Sequence, residues 1–215
     1  MNKLEKLKQI VETAKLGSCT SKLTENQFDV GGFISPNVRH FYNNVASIAD
    51  HYFELGSHIG ASLVSAVYGN DNLKSATACD NFSLFAADTP GRDVAAEFYA
   101  NADRHIKGRY KMLEKDGFTL TKKDLPKKID LYLKDGDHSY ESEFLGVVKI
   151  APFLANEAIM LVDDFSWWPV KNGTMDGIKE AGLTIIYQDL LWSGVESDCG
   201  KMGFWNGIGV FYLKK

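Results

Sequence analysis

Leu4, Leu7, Ile10, Val11 and Ala14 recur at helical spacing between lysines and glutamates, so the chain opens with an amphipathic helix over about residues 1–16. Two roles are open to its apolar stripe: packing on the protein's own surface, or pairing with a second subunit. Residues 17–32 are polar and turn-rich and carry no periodic signal. Ser35-Pro36 then has the cap-plus-proline signature of a helix start, and Val38, Phe41, Tyr42, Val45, Ile48 and Ala49 give the next helix an apolar face. From Tyr52 the pattern shortens to strand, turn and helix: Tyr52-Phe53-Glu54-Leu55, a glycine turn, then residues 61–68. A strand over 75–79 ends at Asp80, and Val94, Phe98 and Ala102 mark a helix within the long region 82–117. Residues 118–121 read as a short third strand, and 129–133, 158–162, 183–187 and 208–213 as further strands. A helix over 139–154 is weakened in its last turn by Pro152. Strands alternating with helices predict an α/β fold with a largely parallel sheet. No repeat or low-complexity linker divides the chain, so residues 1–50 read as a helical extension packed on one domain, residues 51–215.

Composition narrows the function classes. A chain of 215 residues, 45% hydrophobic and 24% charged, matches a soluble globular protein with a substantial core. Its net charge of −4 supplies no general pull toward nucleic acid, and a small or neutral substrate fits better. Cys19, Cys79 and Cys199 are odd in number and lack CxxC spacing, so neither a disulfide framework nor a zinc site is expected; a reducing cytoplasm is the simpler home. No apolar run approaches a membrane span, residues 1–16 lack the core of a signal peptide, and no membrane partner is expected.

Candidate chemistry begins where the first strand ends, in Glu54-Leu55-Gly56-Ser57-His58-Ile59-Gly60-Ala61-Ser62. Gly56 and Gly60 let a ligand lie directly on the turn, and the following helix offers N–H groups to a carboxylate or phosphate, with the Ser62 hydroxyl as a further donor. Ser57 and His58 stand where a dinucleotide fingerprint would continue to its second glycine, which disfavours a nicotinamide enzyme. The string E-L-G-x-x-x-G-x-S resembles the first motif of class I S-adenosylmethionine-dependent methyltransferases, nearest the catechol O-methyltransferase-like and macrocin O-methyltransferase-like branches. The resemblance covers about residues 32–213. It implies a Rossmann-like three-layer αβα sandwich whose seven-stranded sheet is mostly parallel, with the last strand antiparallel. It also implies S-adenosylmethionine on Glu54, Gly56, Ser57, Gly60 and Ser62, with Asp135 against the cofactor and Asp80 on the ribose hydroxyls, where one carboxylate accepts from both. Asp124 is expected to face the adenine. Gly32-Phe33-Ile34-Ser35 loosely fits a segment that helps to cover cofactor or substrate in these enzymes.

Asp135-Gly136-Asp137-His138 and Asp163-Asp164 close the fourth and fifth expected strands, which puts up to four carboxylates on one rim of the sheet. Like charges so close raise one another's pKa unless a cation or strong donors neutralise them, and a hard divalent ion with oxygen ligands would do so. The resemblance implies Asp135, Asp163 and Asp164 as ligands of Mg²⁺ or Mn²⁺. It places His138 where those enzymes carry a basic residue, as the proton acceptor, with Asp135 beside it at the reacting centre. Asp137 is expected to cap the following helix. Trp167, Trp168 and Trp192 are expected to wall the acceptor, and Trp205 is open between wall and core. The function implied is metal-assisted O-methylation of a small-molecule acceptor, with a homodimer as an open assembly. The alternatives are a metal-independent enzyme of the same fold and a non-catalytic cofactor-binding protein.

Overall fold

The computed structural model describes residues 1–17, 19–84, 92–125, 128–193 and 203–215. Helix α1 (Lys3–Lys15) starts on Asn2, whose side chain accepts from Glu5 N while Glu5 reaches back to Asn2 N. Its stripe is absorbed within the chain: Leu7, Val11 and Ala14 are buried in the same core as the sheet, so that face is not left over for a second subunit. Helix α2 (Pro36–Ala46) starts on Ser35 as its sequence predicts, with Ser35 Oγ accepting from Val38 N.

Strands β1 (His51–Leu55), β2 (Ser75–Asp80), β3 (Lys111–Glu114), β4 (Ile129–Lys134), β5 (Leu154–Val162), β6 (Thr184–Leu191) and β7 (Ile208–Lys214) form one sheet in the order β3-β2-β1-β4-β5-β7-β6. β1 to β5 pair in parallel, and β7, the last in sequence, lies antiparallel between β5 and β6. Helices α3 (Ala61–Val67) and α4 (Val94–Ile106) join α1 and α2 on one face, while α5 (Tyr140–Ile150) and α6 (Trp168–Glu180) cover the other. Side-chain alternation divides the core accordingly. Leu131, Leu133, Ile159 and Leu161 face the first layer; Phe53, Tyr132, Met160 and Phe211 face the second. The Rossmann-like three-layer sandwich is the observed fold.

Three segments depart from their sequence patterns. The third strand is Lys111–Glu114 rather than 118–121: as an edge strand it buries only Leu113, so no apolar run announces it. Phe118 and Leu120 lie in and just after a 3₁₀ turn, Gly117–Thr119, and pack onto the core from outside. The helix predicted over 139–154 stops at Ile150, because Pro152 lacks the N–H to continue it, and β5 already starts at Leu154. β6 runs beyond residue 187 to Leu191, alternating exposed and half-buried residues as an edge strand does.

Candidate functional site

Because β1 lies between β2 and β4, the chain leaves it to both sides and a crevice opens beyond the C-terminal ends of these strands. The ladder continues one step into that crevice: Asp135 N donates to Leu55 O at 2.9 Å, and Asp163 N to Lys134 O at 3.0 Å. Asp135 and Asp163 are thereby seated side by side. Asp164 follows in a left-handed conformation, φ 53°, set by the loop ahead of β7, where Phe165 N donates to Gly207 O and Ser166 N to Asn206 O.

Gly56 has φ +89°, and a Cβ there would lie 1.9 Å from Asp135 O and 2.7 Å from Gly136 Cα. The glycine is required by a crossing of protein backbone, a different cause from the ligand contact that the sequence suggests. Gly60, also at φ +89°, precedes a helix of only 7 residues, whose dipole is correspondingly slight. Glu54 has no exposed surface; Tyr52 Oη donates to its Oε2 at 2.5 Å, and its Oε1 is buried without a hydrogen-bond partner among the described residues. Burial pushes its carboxyl up to about 7 against the Tyr52 bond. Glu54 does not line the cavity, whereas Ser57 and Ser62 do. Asp80 Oδ2 accepts from Ser57 N at 2.8 Å and His58 N at 2.9 Å, and Oδ1 from Phe82 N at 2.7 Å. These bonds stitch the turn to β2 and occupy three of the roughly four acceptor sites of the carboxylate.

Two cavities meet at Gly56. One, of about 260 Å³, is floored by Asp135, Asp163, Asp164 and His138, walled by Tyr42, Trp167 and Trp205, and roofed by residues 32–35. The other, of about 170 Å³, runs over Asp80, Phe82, Asp116 and Phe118. Ser35 Oγ donates to Gly203 O at 2.6 Å and ties the roof to the late loop; buried Arg39 holds the preceding segment by donating to Gln27 O and Val30 O.

Four expected placements change. Asp124 lines neither cavity: it sits near the opposite ends of the strands, and its carboxylate is held down to about 2 by Thr121 Oγ1 and N, then by Lys115. Trp168 and Trp192 also lie outside the crevice, 71% and 52% exposed, and Trp168 stacks on Tyr140. Trp205 takes the wall position, with Nε1 buried and unbonded among the described residues. Asp137 is not the helix cap. Ser139 caps α5, and Asp137 Oδ2 accepts from Ser139 Oγ at 2.6 Å. Residues 194–202 of the expected acceptor loop, Cys199 included, lie outside the described residues.

The acidic rim packs against His138. Burial raises both Asp135 and Asp163, and repulsion from Asp135 and Asp164 adds to it at Asp163, whose carboxyl is carried well above the usual carboxylate range. His138 Nδ1 lies 3.6 Å from Glu143 Oε1 and Nε2 3.6 Å from Asp164 Oδ2. Burial disfavours its cation, but Glu143, Asp135 and Asp164 outweigh burial and its pKa is raised. Burial also raises Asp164, against the nearby His138. Among the described residues no three His, Cys, Asp or Glu side chains form a group able to hold a metal ion. The expected set of Asp135, Asp163 and Asp164 is not such a group as placed.

Two charged residues of this region were not sequence candidates. Lys134, 1% exposed, donates to Glu143 Oε1 and to Asp137 O, each at 3.0 Å. The available signal was a lysine closing an apolar strand, opposite a helix with a glycine: a Cβ at Gly146 would lie 2.8 Å from Lys134 Cε.

The family described as a methyltransferase domain matches residues 53–165. No curated protein sequence matches the chain. The structure is similar to the O-methyltransferase from Bacillus cereus in complex with S-adenosylhomocysteine, with TM-score 0.60 and 12% identity over 98% of this chain and 91% of that one. It is also similar to the N-methyltransferase NodS from Bradyrhizobium japonicum WM9 in complex with S-adenosylhomocysteine, with TM-score 0.54 and 10% identity over 84% of this chain and 88% of that one. At these identities the likeness is one of fold.

Proposed function

The chain belongs to the methyltransferase-domain family as a class I S-adenosylmethionine-dependent methyltransferase, and from that premise we propose that it methylates a hydroxyl oxygen of a small molecule, with His138 accepting the proton. The observation that supports the reading is the junction at Gly56, where a cavity over Asp80, Phe82 and Phe118 meets one floored by His138 and three aspartates. A nucleoside suits the first, and an acceptor the second. S-adenosylmethionine supplies a methyl group on a sulfonium carbon, which transfers in line: the C–O bond forms as the C–S bond breaks, and the bonding pair leaves on sulfur. The chain's own work is alignment, exclusion of water and removal of the acceptor's proton. Trp167 and Trp205 wall the acceptor, and Tyr42, kept a neutral phenol by burial and the nearby carboxylates, can donate to it. His138 is a stronger base than a free imidazole and takes the hydroxyl proton.

No three described His, Cys, Asp or Glu side chains form a metal-holding group, and no step is routed through a divalent ion. Buried free thiols at Cys19 and Cys79 support a reducing compartment, and no described helix is long and apolar enough to cross a membrane. The test combines calorimetry with S-adenosylhomocysteine and turnover of S-adenosylmethionine against catechols, sugar hydroxyls and amines, each with and without a chelator. Binding, chelator-insensitive turnover of a hydroxyl acceptor, and a loss of 10²–10⁴ in kcat for His138→Ala are expected. Turnover of amines alone overturns the oxygen assignment; activity abolished by the chelator and restored by Mg²⁺ returns the metal-assisted reading.

A further inference from the structure

We propose that Glu143, anchored by Lys134, is a positioning residue that holds the His138 imidazole with Nδ1–H toward Glu143 and the Nε2 lone pair toward the acceptor cavity. The inference rests on His138 being the proton acceptor. Lys134 and Glu143 are each 1% exposed. A buried ion pair contributes little net stability, because desolvating both charges offsets most of their attraction. This pair also connects three elements. Lys134 Nζ closes β4, and its second bond goes to Asp137 O, in the loop that carries His138, while Glu143 projects from the first turn of α5.

The polar atoms of the three residues are incompletely matched, in a way that points at the imidazole. Among the described residues Glu143 Oε2 and His138 Nδ1 are both buried without a hydrogen-bond partner. One is an acceptor and the other can carry a proton, and Nδ1 already stands 3.6 Å from Glu143 Oε1. That distance is an ion-pair contact rather than a hydrogen bond, and a small ring rotation converts it to one. A neutral imidazole that donates from Nδ1 has its free lone pair on Nε2, on the edge that faces Asp164 and the cavity floor. Room for the pair is built into both covering helices: a Cβ at Gly146 would lie 2.8 Å from Lys134 Cε, and one at Gly173 2.8 Å from Glu143 Cβ. Were Glu143 merely the counter-ion of Lys134, the state of His138 would be indifferent to it.

The tautomer is read directly by nitrogen NMR of protein labelled with ¹⁵N-histidine, with and without S-adenosylhomocysteine, at a pH above the His138 transition. His138→Ala identifies its signals by their loss. In the wild type, Nδ1 is expected at a pyrrole-type and Nε2 at a pyridine-type position. Lys134→Met/Glu143→Met removes both charges together, so that no lone buried charge threatens the fold, and should shift His138 toward the opposite tautomer or a mixture. Glu143→Gln, whose amide oxygen still accepts, should retain the wild-type pattern. A pyridine-type Nδ1 in the wild type, or a pattern unmoved in the double variant, overturns the role of Glu143. Failure of the wild type to bind S-adenosylhomocysteine in calorimetry instead overturns the functional reading beneath it, so the two failures are distinguishable.

Discussion

Gly56→Ala should damage both the fold and the cofactor site, and Gly60→Ala provides the measure of how much of that damage is steric. Both glycines have φ +89°, so an alanine at either position meets the same left-handed penalty, roughly 1–2 kcal/mol. Their surroundings differ. At Gly60 the new Cβ would meet Phe98 at 3.3 Å, a tight contact that a ring can relieve, whereas at Gly56 it would lie 1.9 Å from Asp135 O. Backbone must move by more than an ångström there, and overpacking of that kind adds roughly 1–3 kcal/mol. The expected losses are about 2–5 kcal/mol for Gly56→Ala and about 1–2 kcal/mol for Gly60→Ala, against a total stability of roughly 5–15 kcal/mol. Urea unfolding without ligand measures both. Because Asp135 and Gly136 border both cavities, the displacement should also weaken S-adenosylhomocysteine binding at least tenfold by calorimetry. Equal unfolding midpoints for the two variants would refute the backbone-crossing explanation and restore ligand approach as the reason for Gly56.

Glu54, at about 7 in the fold against 4.5 for an ordinary glutamate, binds more protons folded than unfolded between those values, so its contribution makes stability fall as pH rises from 4.5 to 7. The loss is roughly 3 kcal/mol; Glu54→Gln should flatten that slope, and parallel wild-type and variant profiles would contradict the assignment. Asp80→Ala leaves three backbone N–H groups without their acceptor and should cost about 1–3 kcal/mol even without cofactor; a change in ligand affinity alone, at unchanged stability, would instead assign Asp80 to the ribose. Deleting residues 1–16 uncovers the core beneath Leu7 and Val11, each wholly buried, and should lower stability by roughly 3–6 kcal/mol; an unchanged urea midpoint would count against the packing role of α1.

The sequence by itself determined the layers and the address of the site. Short apolar runs separated by amphipathic helices specify a covered sheet, and the string from Glu54 to Ser62 together with the two acidic strand ends marks the rim where ligands go. These signals are local, since each depends on residues a few positions apart. Tertiary structure alone decided what the marked residues do. The strand Lys111–Glu114 is held by its neighbour β2 rather than by its own hydrophobicity, so only pairing reveals it. That Asp80 also holds the turn is visible only once the turn is seen folded over it, and Trp168 reads as a wall until α6 carries it outward. Lys134 and Glu143 are nine residues apart and become one buried pair only when α5 lies across β4. The acidic rim reads as a metal site because sequence counts carboxylates but not the groups that face them. Three-dimensional packing supplies those partners, and an ionisable group's charge is set by its surroundings rather than by its identity.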